Sequence, residues 1–263
     1  MMDNFVCRAE KARREYNGFG YAQEELLPGA DAVNAKFYRC SLRAGCSVTP
    51  ELDREKITIL IFNGKTGYIT TPYDLYNVTE PSFFIPDFDR VPYTVHAVED
   101  SEFIRAVFSM NQWDREFYEK WNLHLPFFSK YSDGVQYDQD CKGPNTRSYS
   151  ILQPFQLGHV SIGVVKAIGE GTDEKGHGLL HQWNYCLGNS DFDLTVEEET
   201  EPQKPGDWSF IYAGKDHKLL AKPGKEVFYV WVEYFTDEDL QKYYLCQIHN
   251  GSLTEVQDRK SVV

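Results

Sequence analysis

The chain has 263 residues, of which 41% are hydrophobic and 15% aromatic, and its formal net charge at pH 7 is −13. This length suits one large domain or two modest ones, and the aromatic content favours short β-strands over helices. The acidic balance argues against nucleic acid and against anionic membrane surfaces as partners, because both require a basic patch. No run of 18 apolar residues is present, so no membrane-spanning helix is expected.

The N-terminal 30 residues are predicted to be irregular, with one short helix from Ala9 to Tyr16. This region lacks the apolar core of a signal peptide. The six cysteines contain no Cys-x-x-Cys pair and are scattered through a chain too large to depend on disulfides. We therefore expect a cytoplasmic protein with free thiols.

Strands are predicted from Ala35 to about residue 110, because short apolar runs alternate there with Gly, Pro and Asp turns. The run from Ile57 to Phe62 is a buried strand that ends at the turn pair Asn63-Gly64. It lies in a regular frame: Gly45, five residues, Glu51-Leu52-Asp53, three residues, Ile57, six residues and Gly64. The two carboxylates of this frame have no further ligand beside them, so a solvated turn is expected there.

Aromatic residues at helical spacing mark the middle of the chain. Trp113, Phe117, Tyr118 and Trp121 predict an amphipathic helix over residues 111–122. This helix joins two halves, or alternatively provides the contacts of a homodimer. The polar stretch 129–147, broken by Lys142-Gly143-Pro144, is the predicted linker between domains at 1–128 and 148–263.

The second half repeats the frame of the first and adds histidines. The repeat, displaced by 124 residues, reads Gly169, five residues, Lys175-Gly176-His177, three residues, His181, six residues and Gly188. A second spacing follows: Gly206, five residues, Tyr212-Ala213-Gly214, two residues, His217, three residues and Ala221. Its counterpart in the first half contains two extra residues and places Tyr93 near the position of His217. Such an internal repeat predicts two tandem domains of the same architecture.

The histidines of the second half have the pattern of a metal site. His177 and His181 are four residues apart, which places them on one face of a strand, and Lys175 shares their parity. His217 follows a second strand at 208–212. Neutral imidazoles favour transition metals over magnesium or calcium, and three ligands leave coordination positions open. We therefore predict one divalent ion (Mn, Fe, Zn or Ni) bound by His177, His181 and His217.

The last long strand, at 227–235, has one face formed by Tyr229, Trp231 and Glu233. The sequence leaves open whether this face lines a pocket or meets solvent. Thr236, followed by acidic residues, then predicts the N-cap of a short C-terminal helix.

Both spacings resemble the two motifs of the cupin superfamily. The first motif is Gly, five residues, His-x-His, three or four residues, Glu, six residues and Gly. The second is Gly, five residues, Pro-x-Gly, two residues, His, three residues and Asn. Here Lys175 stands in place of the first histidine and His181 in place of the glutamate. The resemblance implies an all-β bicupin with two tandem antiparallel β-barrel (jelly-roll) domains and a few short helices. Only the C-terminal domain would hold a metal.

The spacing of the second half is also similar to that of bicupin ureidoglycine aminohydrolases. Those enzymes hold manganese through Glu-x-His-x-x-x-His and a later glutamine, where this chain has Lys175 and His217 in place of the glutamate and the glutamine. A three-histidine set is also similar to that of cupin dioxygenases that bind ferrous iron.

The resemblance implies a metal-dependent enzyme that acts on a small polar or carboxylated metabolite, with isomerase, hydrolase and lyase open. The candidate acid–base residues are Lys175, Tyr185, Tyr229 and Glu233. Tyr185 shares the parity of His181. The alternatives are a non-catalytic small-molecule or sugar-binding cupin, a three-histidine iron dioxygenase, and a storage or interaction protein with a vestigial site.

Overall fold

The computed structural model describes residues 5–28, 35–88, 90–121, 123–138, 141–153, 156–174 and 180–235. These residues form two compact units. The N-terminal unit contains Glu10–Asn111 and Leu123–Asp133. The C-terminal unit contains the residues up to Ala9, the segment 112–122, and the residues from Gly134 onward.

Antiparallel strands build both units. The N-terminal unit follows the two-residue strand β1 (Val6–Cys7) and contains β2 (Tyr21–Glu25), β3 (Ala35–Leu42), β4 (Ser47–Val48), β5 (Lys56–Asn63), β6 (Gly67–Thr70), β7 (Leu75–Val78), β8 (Pro81–Ile85), β9 (Thr94–Ala97), β10 (Ser101–Ser109) and β11 (Phe127–Lys130). The C-terminal unit contains β1, the helix α1 (Gln112–Trp121), β12 (Val135–Tyr137), β13 (Arg147–Leu152), β14 (Val160–Ile168), β15 (Gly171–Glu174), β16 (Leu180–Cys186), β17 (Phe192–Val196), β18 (Glu199–Gln203), β19 (Trp208–Ile211), β20 (His217–Leu220) and β21 (Glu226–Phe235).

The two units share one strand order. The larger sheets run β11-β8-β5-β10-β3-β2 and β1-β19-β16-β21-β14-β13-β12, and the four-stranded sheets run β4-β9-β6-β7 and β15-β20-β17-β18. Apart from β11, each strand of the N-terminal sheets thus has a counterpart about 124 residues later, as the sequence repeat predicts. The edge position beside β8 and β19 is filled differently, by β11 in one unit and by β1 in the other.

In each unit the two sheets pack face to face. The C-terminal core includes Val165, Cys186 and Tyr229 from the larger sheet and Leu194 and Leu219 from the smaller one. The N-terminal core is built in the same way from both of its sheets. Burial of apolar side chains between the two layers is the dominant stabilising term of such sandwiches.

The structure confirms the predicted all-β fold of two tandem jelly-roll units. The predicted central helix is α1, but only Ala9–Lys11 of the predicted first helix is helical, as a 3₁₀ turn. No helix in the described ranges is long and apolar enough to cross a membrane. The helix expected from Thr236 lies outside the described residues.

The predicted linker at 129–147 contains structure that belongs to both units. β11 ends at Lys130 in the N-terminal unit, and β12 begins at Val135 in the C-terminal unit. The chain therefore passes from the N-terminal to the C-terminal unit for the last time after Asp133, whereas the predicted N-terminal domain 1–128 also contains two segments of the C-terminal unit.

The glycines of the repeated frame stand where the chain reverses direction. Gly169, Gly188, Gly206 and Gly214 all have positive φ, as do Gly45 and Gly64 in the first half. Residues with a Cβ are strained in this conformation, so the turns explain why glycine recurs at these spacings.

A different glycine is required by packing. Gly163 lies on β14 opposite Trp231, and a Cβ at this position would overlap the Trp231 ring. We expect Gly163→Ala to lower the free energy of unfolding by about 1–3 kcal/mol, since overpacking forces neighbouring side chains out of their rotamers. Gly18→Ala is the control, because its Cβ would meet no atom within 4 Å. Equal midpoints of urea unfolding for the two variants would contradict this prediction.

Candidate functional site

The centre of the candidate site is a buried histidine–glutamate pair in the C-terminal unit. β15 pairs with β20 so that Glu174 lies directly opposite His217, and both face the sandwich interior with Leu219. His217 is 1% exposed and Glu174 is 8% exposed. The distance from His217 Nε2 to Glu174 Oε2 is 3.7 Å.

The histidine ring is oriented by a backbone carbonyl. His217 Nδ1 lies 3.1 Å from the carbonyl oxygen of Lys215. A carbonyl only accepts hydrogen bonds, so Nδ1 carries the proton and donates it. In the neutral ring the lone pair is then on Nε2, which faces the Glu174 carboxylate. Two acceptor groups that face each other inside a protein require a proton or a cation between them.

Two residues of β21 extend the polar surface around this pair. Tyr229 and Glu233 share the interior face of β21, where Tyr229 is part of the apolar core and accompanies Trp231. Glu233 Oε2 accepts a hydrogen bond of 3.2 Å from Ser161 on β14. The sequence left open whether this face of β21 lines a pocket or meets solvent, and in the structure it faces the interior.

Lys142 reaches the same interior from the segment that precedes β13. It forms an isolated bridge with Thr172 of β15, and the neighbouring Gly143 amide donates to the Gly171 carbonyl. Lys142 Nζ donates a hydrogen bond of 2.7 Å to Ser148 Oγ. The ammonium group also lies 5.3 Å from the centre of the Tyr137 ring, a cation–π distance.

Burial controls the protonation states of these groups. Burial lowers the pKa of Lys142, opposed by the carboxylate charges of Glu174 and Glu233. Burial raises the pKa of Tyr229 well above its usual value, and the charge of Glu174 acts in the same direction. The pKa of Tyr137 is raised for the same reasons, with Glu233 and Glu174 adding to burial. Both phenols are therefore neutral hydrogen-bond donors at physiological pH.

A cavity of about 350 Å³ opens beside Lys142 and Tyr137. Its lining includes Tyr137, Lys142, Thr146 and Arg147. The volume is at the lower end of the range for ligand pockets, so a small metabolite fits, and its polar groups would meet the cations of Lys142 and Arg147 and the carboxylate of Asp138.

His181 does not join this site. It pairs with Tyr234 on β21, whereas the interior residues of β16 are Gln182, Asn184 and Cys186. The ring packs against Phe210, and Nδ1 accepts a hydrogen bond from the Ala213 amide. Burial lowers its pKa, which favours the neutral ring. The predicted face of His181 is therefore wrong.

Tyr185, another candidate acid–base residue, follows His181 onto the same face. It pairs with Trp208 and Val230, and it is fully buried. Lys175 and His177 lie outside the described residues, so their roles stay sequence predictions.

The error has a physical cause in the chain path. Side-chain alternation holds only within one continuous strand. Gly171–Glu174 belongs to the four-stranded sheet and Leu180–Cys186 to the seven-stranded sheet. Parity therefore cannot be carried from residue 175 to residue 181. The first cupin motif allows three or four residues between its second histidine and its glutamate. With four residues after His177, the glutamate position falls on Gln182, which faces the interior.

The donor atoms of His217 and Glu174, an imidazole nitrogen and a carboxylate oxygen, are of the types that bind a divalent transition metal. A metal-binding histidine usually donates its other ring N–H to a carbonyl or carboxylate, as His217 does to the Lys215 carbonyl. However, the described residues contain no group of three His, Cys, Asp or Glu side chains that could hold an ion. His217 and Glu174 thus fit as two ligands, and a third would come from outside the described part of the chain.

Lys142, Glu174 and Gln182 were not identified from the sequence. Lys142 gave no local signal, because Lys-Gly-Pro is typical of a loop. The signal for Glu174 was its parity with Thr172 within β15, which does not depend on the path of the chain after residue 174.

The sequence matches no family model and no curated protein. Its structure, however, is similar to solved structures over most of its length. An oxalate decarboxylase from Lactobacillus farciminis, in a formate complex, superposes with a TM-score of 0.65 at 10% identity, covering 98% of this chain and 96% of the other. A cupin 2 conserved barrel domain protein from Leptotrichia buccalis has a TM-score of 0.55 at 10% identity, covering 86% of this chain and 91% of the other. The 7S globulin of Momordica charantia has a TM-score of 0.61 at 12% identity, covering 90% and 86%.

These neighbours include an enzyme and a globulin, and at such low identity they establish the fold alone.

Proposed function

Taking the bicupin fold of this chain as the premise, we propose that its C-terminal unit is a metal-dependent enzyme site for a small carboxylated metabolite. The observation that carries the proposal is the buried pair of His217 and Glu174, with Nε2 and Oε2 facing each other at 3.7 Å. Lys142 lies in the same interior, where its Nζ donates a hydrogen bond of 2.7 Å to Ser148, and its ammonium group supports an anionic substrate.

Each residue has a distinct part in this proposal. His217 and Glu174 hold the metal, together with His177 as the sequence predicts. Lys142 binds the carboxylate of the substrate, since burial strengthens the attraction between opposite charges. Tyr229, kept protonated by burial and by Glu174, donates a hydrogen bond at its hydroxyl. Glu233 is the candidate base on the same face of β21.

A bound divalent metal would polarise a substrate carbonyl or lower the pKa of a water molecule. Metal analysis of the purified chain after incubation with manganese, iron, zinc or nickel tests this part. About one tightly held ion per chain supports the proposal. Retention of none of the four ions after dialysis contradicts it.

Non-catalytic binding of a small molecule is the second candidate. It is favoured by Lys142, whose ammonium group can hold a carboxylate without a metal. A chain that binds carboxylates at Lys142 but retains no metal would support this candidate. The geometry does not favour a three-histidine dioxygenase, because His217 faces the sandwich interior and His181 faces the other side of the seven-stranded sheet.

Removing the charge of Lys142 should weaken carboxylate binding in the C-terminal unit. We expect Lys142→Met to raise the Kd for malonate about tenfold, because it removes a charged hydrogen-bond donor from a buried site. Lys142→Arg keeps the positive charge and should have a smaller effect. The readout is the NMR shift of the Tyr137, Ser148 and Thr172 amides during titration. An unchanged Kd in Lys142→Met would show that this lysine does not bind the substrate.

A further inference from the structure

The N-terminal unit has a cavity of its own at one end of its sandwich. Its volume is about 300 Å³, and its lining includes Lys36, Tyr38, Asp53, Lys56, Arg105 and Val107. Strand pairing places Tyr38 of β3 and Leu60 of β5 beside Arg105 of β10. All three belong to the interior face that continues into the core through Cys40, Phe62 and Phe103. The cavity is thus the open end of the sandwich interior.

This cavity carries more positive than negative charge. Lys36, Lys56 and Arg105 contribute cations, and Asp53 is the carboxylate in the lining. Asp53 is already engaged, since its Oδ2 lies 2.7 Å from Lys56 Nζ. In a chain with a formal net charge of −13, a cationic cavity is selective for a small anion.

Arg105 differs from the other arginine of the same strand pair. Arg39, on the opposite face of β3, is buried beside two carboxylates, with Glu24 at 3.6 Å and Glu102 at 3.5 Å. Arg105 makes no ion pair or hydrogen bond with a residue in the described ranges. Its Nε is buried, and its guanidinium lies 5.8 Å from the centre of the Tyr38 ring. A buried guanidinium donor without an acceptor is costly, so its position at a cavity points to an acceptor from a ligand.

We propose that this cavity is an anion-binding site of the N-terminal unit, with Arg105 as its principal ligand-binding residue. The ligand is a small oxyanion, a carboxylate or a phosphate, because a planar guanidinium donates two parallel hydrogen bonds to either group. Lys36 and Lys56 add positive charge at the rim. The site is independent of the metal site proposed for the C-terminal unit.

Titration of the full chain tests this proposal with malonate, inorganic phosphate and neutral malonamide. The NMR shifts of the Lys36, Tyr38 and Arg105 amides report on the N-terminal cavity. We expect saturable shifts with malonate or phosphate and none with malonamide. The tighter of the two anions identifies the ligand class.

Arg105→Gln should weaken anion binding at this cavity about tenfold or more, since one charged donor is lost. Lys36→Gln changes an exposed side chain, cannot disturb folding through the core, and should weaken binding to a smaller extent. Arg43→Gln is the matched control, because Arg43 also lies over a tyrosine ring, that of Tyr16, but outside the cavity.

Lys142→Met distinguishes anion binding at the N-terminal cavity from binding in the C-terminal unit, since it should leave the amide shifts of the N-terminal cavity unchanged. Absence of saturable shifts at this cavity in the wild type would overturn the proposal. So would equal anion binding by wild type and both the Arg105→Gln and Lys36→Gln variants.

Discussion

His217→Ala is expected to remove metal from the chain, while His181→Ala is expected to leave the metal content unchanged. Loss of an outer partner of a metal-binding histidine already costs 10–100-fold in affinity, so loss of the ligand itself should cost at least about tenfold. His181 lies on the other face of the seven-stranded sheet, and its Nδ1 already accepts a hydrogen bond from Ala213. Metal content after dialysis, measured by mass spectrometry, is the readout.

The two histidine variants are matched in residue type and distinguish the site seen in the structure from the one that strand parity predicts. Glu174→Gln should behave like His217→Ala but lose less affinity, because the amide retains one oxygen donor. The double variant Glu51→Ala, Asp53→Ala should keep its metal, since both residues belong to the N-terminal unit. Metal loss in His181→Ala together with retention in His217→Ala would place the ligands on the opposite face of the sheet.

Asp114→Ala is expected to lower the free energy of unfolding by about 3–5 kcal/mol. Asp114 is 2% exposed in the first turn of α1, and its Oδ1 accepts from both the backbone amide and Nδ1 of His159, at 2.9 and 2.6 Å. His159 is fully buried and stacks on Tyr234. Alanine would therefore leave two buried donors without their acceptor and would weaken the attachment of α1 to β14.

The matching measurement is the midpoint of thermal unfolding. A loss of 3 kcal/mol should lower Tm by roughly 6 °C or more in a chain of this size. Asp114→Asn keeps an oxygen acceptor and should lose less. Glu119→Ala, an exposed residue of the same helix, should change stability by no more than about 0.5 kcal/mol. Equal Tm values for Asp114→Ala and Glu119→Ala would mean that the buried pair does not hold the helix in place.

The tandem architecture could be predicted from the sequence because it depends on local features. The repeated glycines at positions such as Gly45 and Gly169 require positive φ, so their spacing marks the same turns in both halves. Tyr93 was expected near the position of His217. The strand pairing agrees with this expectation. β6 pairs Ile69 with Val95, and β17 pairs Leu194 with Leu219, so Val95 and Leu219 are equivalent positions. Tyr93 and His217 each lie two residues before them and are therefore also equivalent. Two of the candidate acid–base residues, Tyr229 and Glu233, also lie in one interior because they share one continuous strand.

Only the tertiary structure decided which side chains meet. The chain changes sheets between Glu174 and Leu180, so the alternation that predicted the face of His181 does not continue through that crossing. The placement of Lys142 depends on its pairing with Thr172, 30 residues later, for which the sequence contains no local signal. The cationic cavity around Arg105 likewise depends on the packing of β3, β5 and β10. Turns and strand periods are properties of a few adjacent residues, whereas a site is formed by residues that only folding brings together.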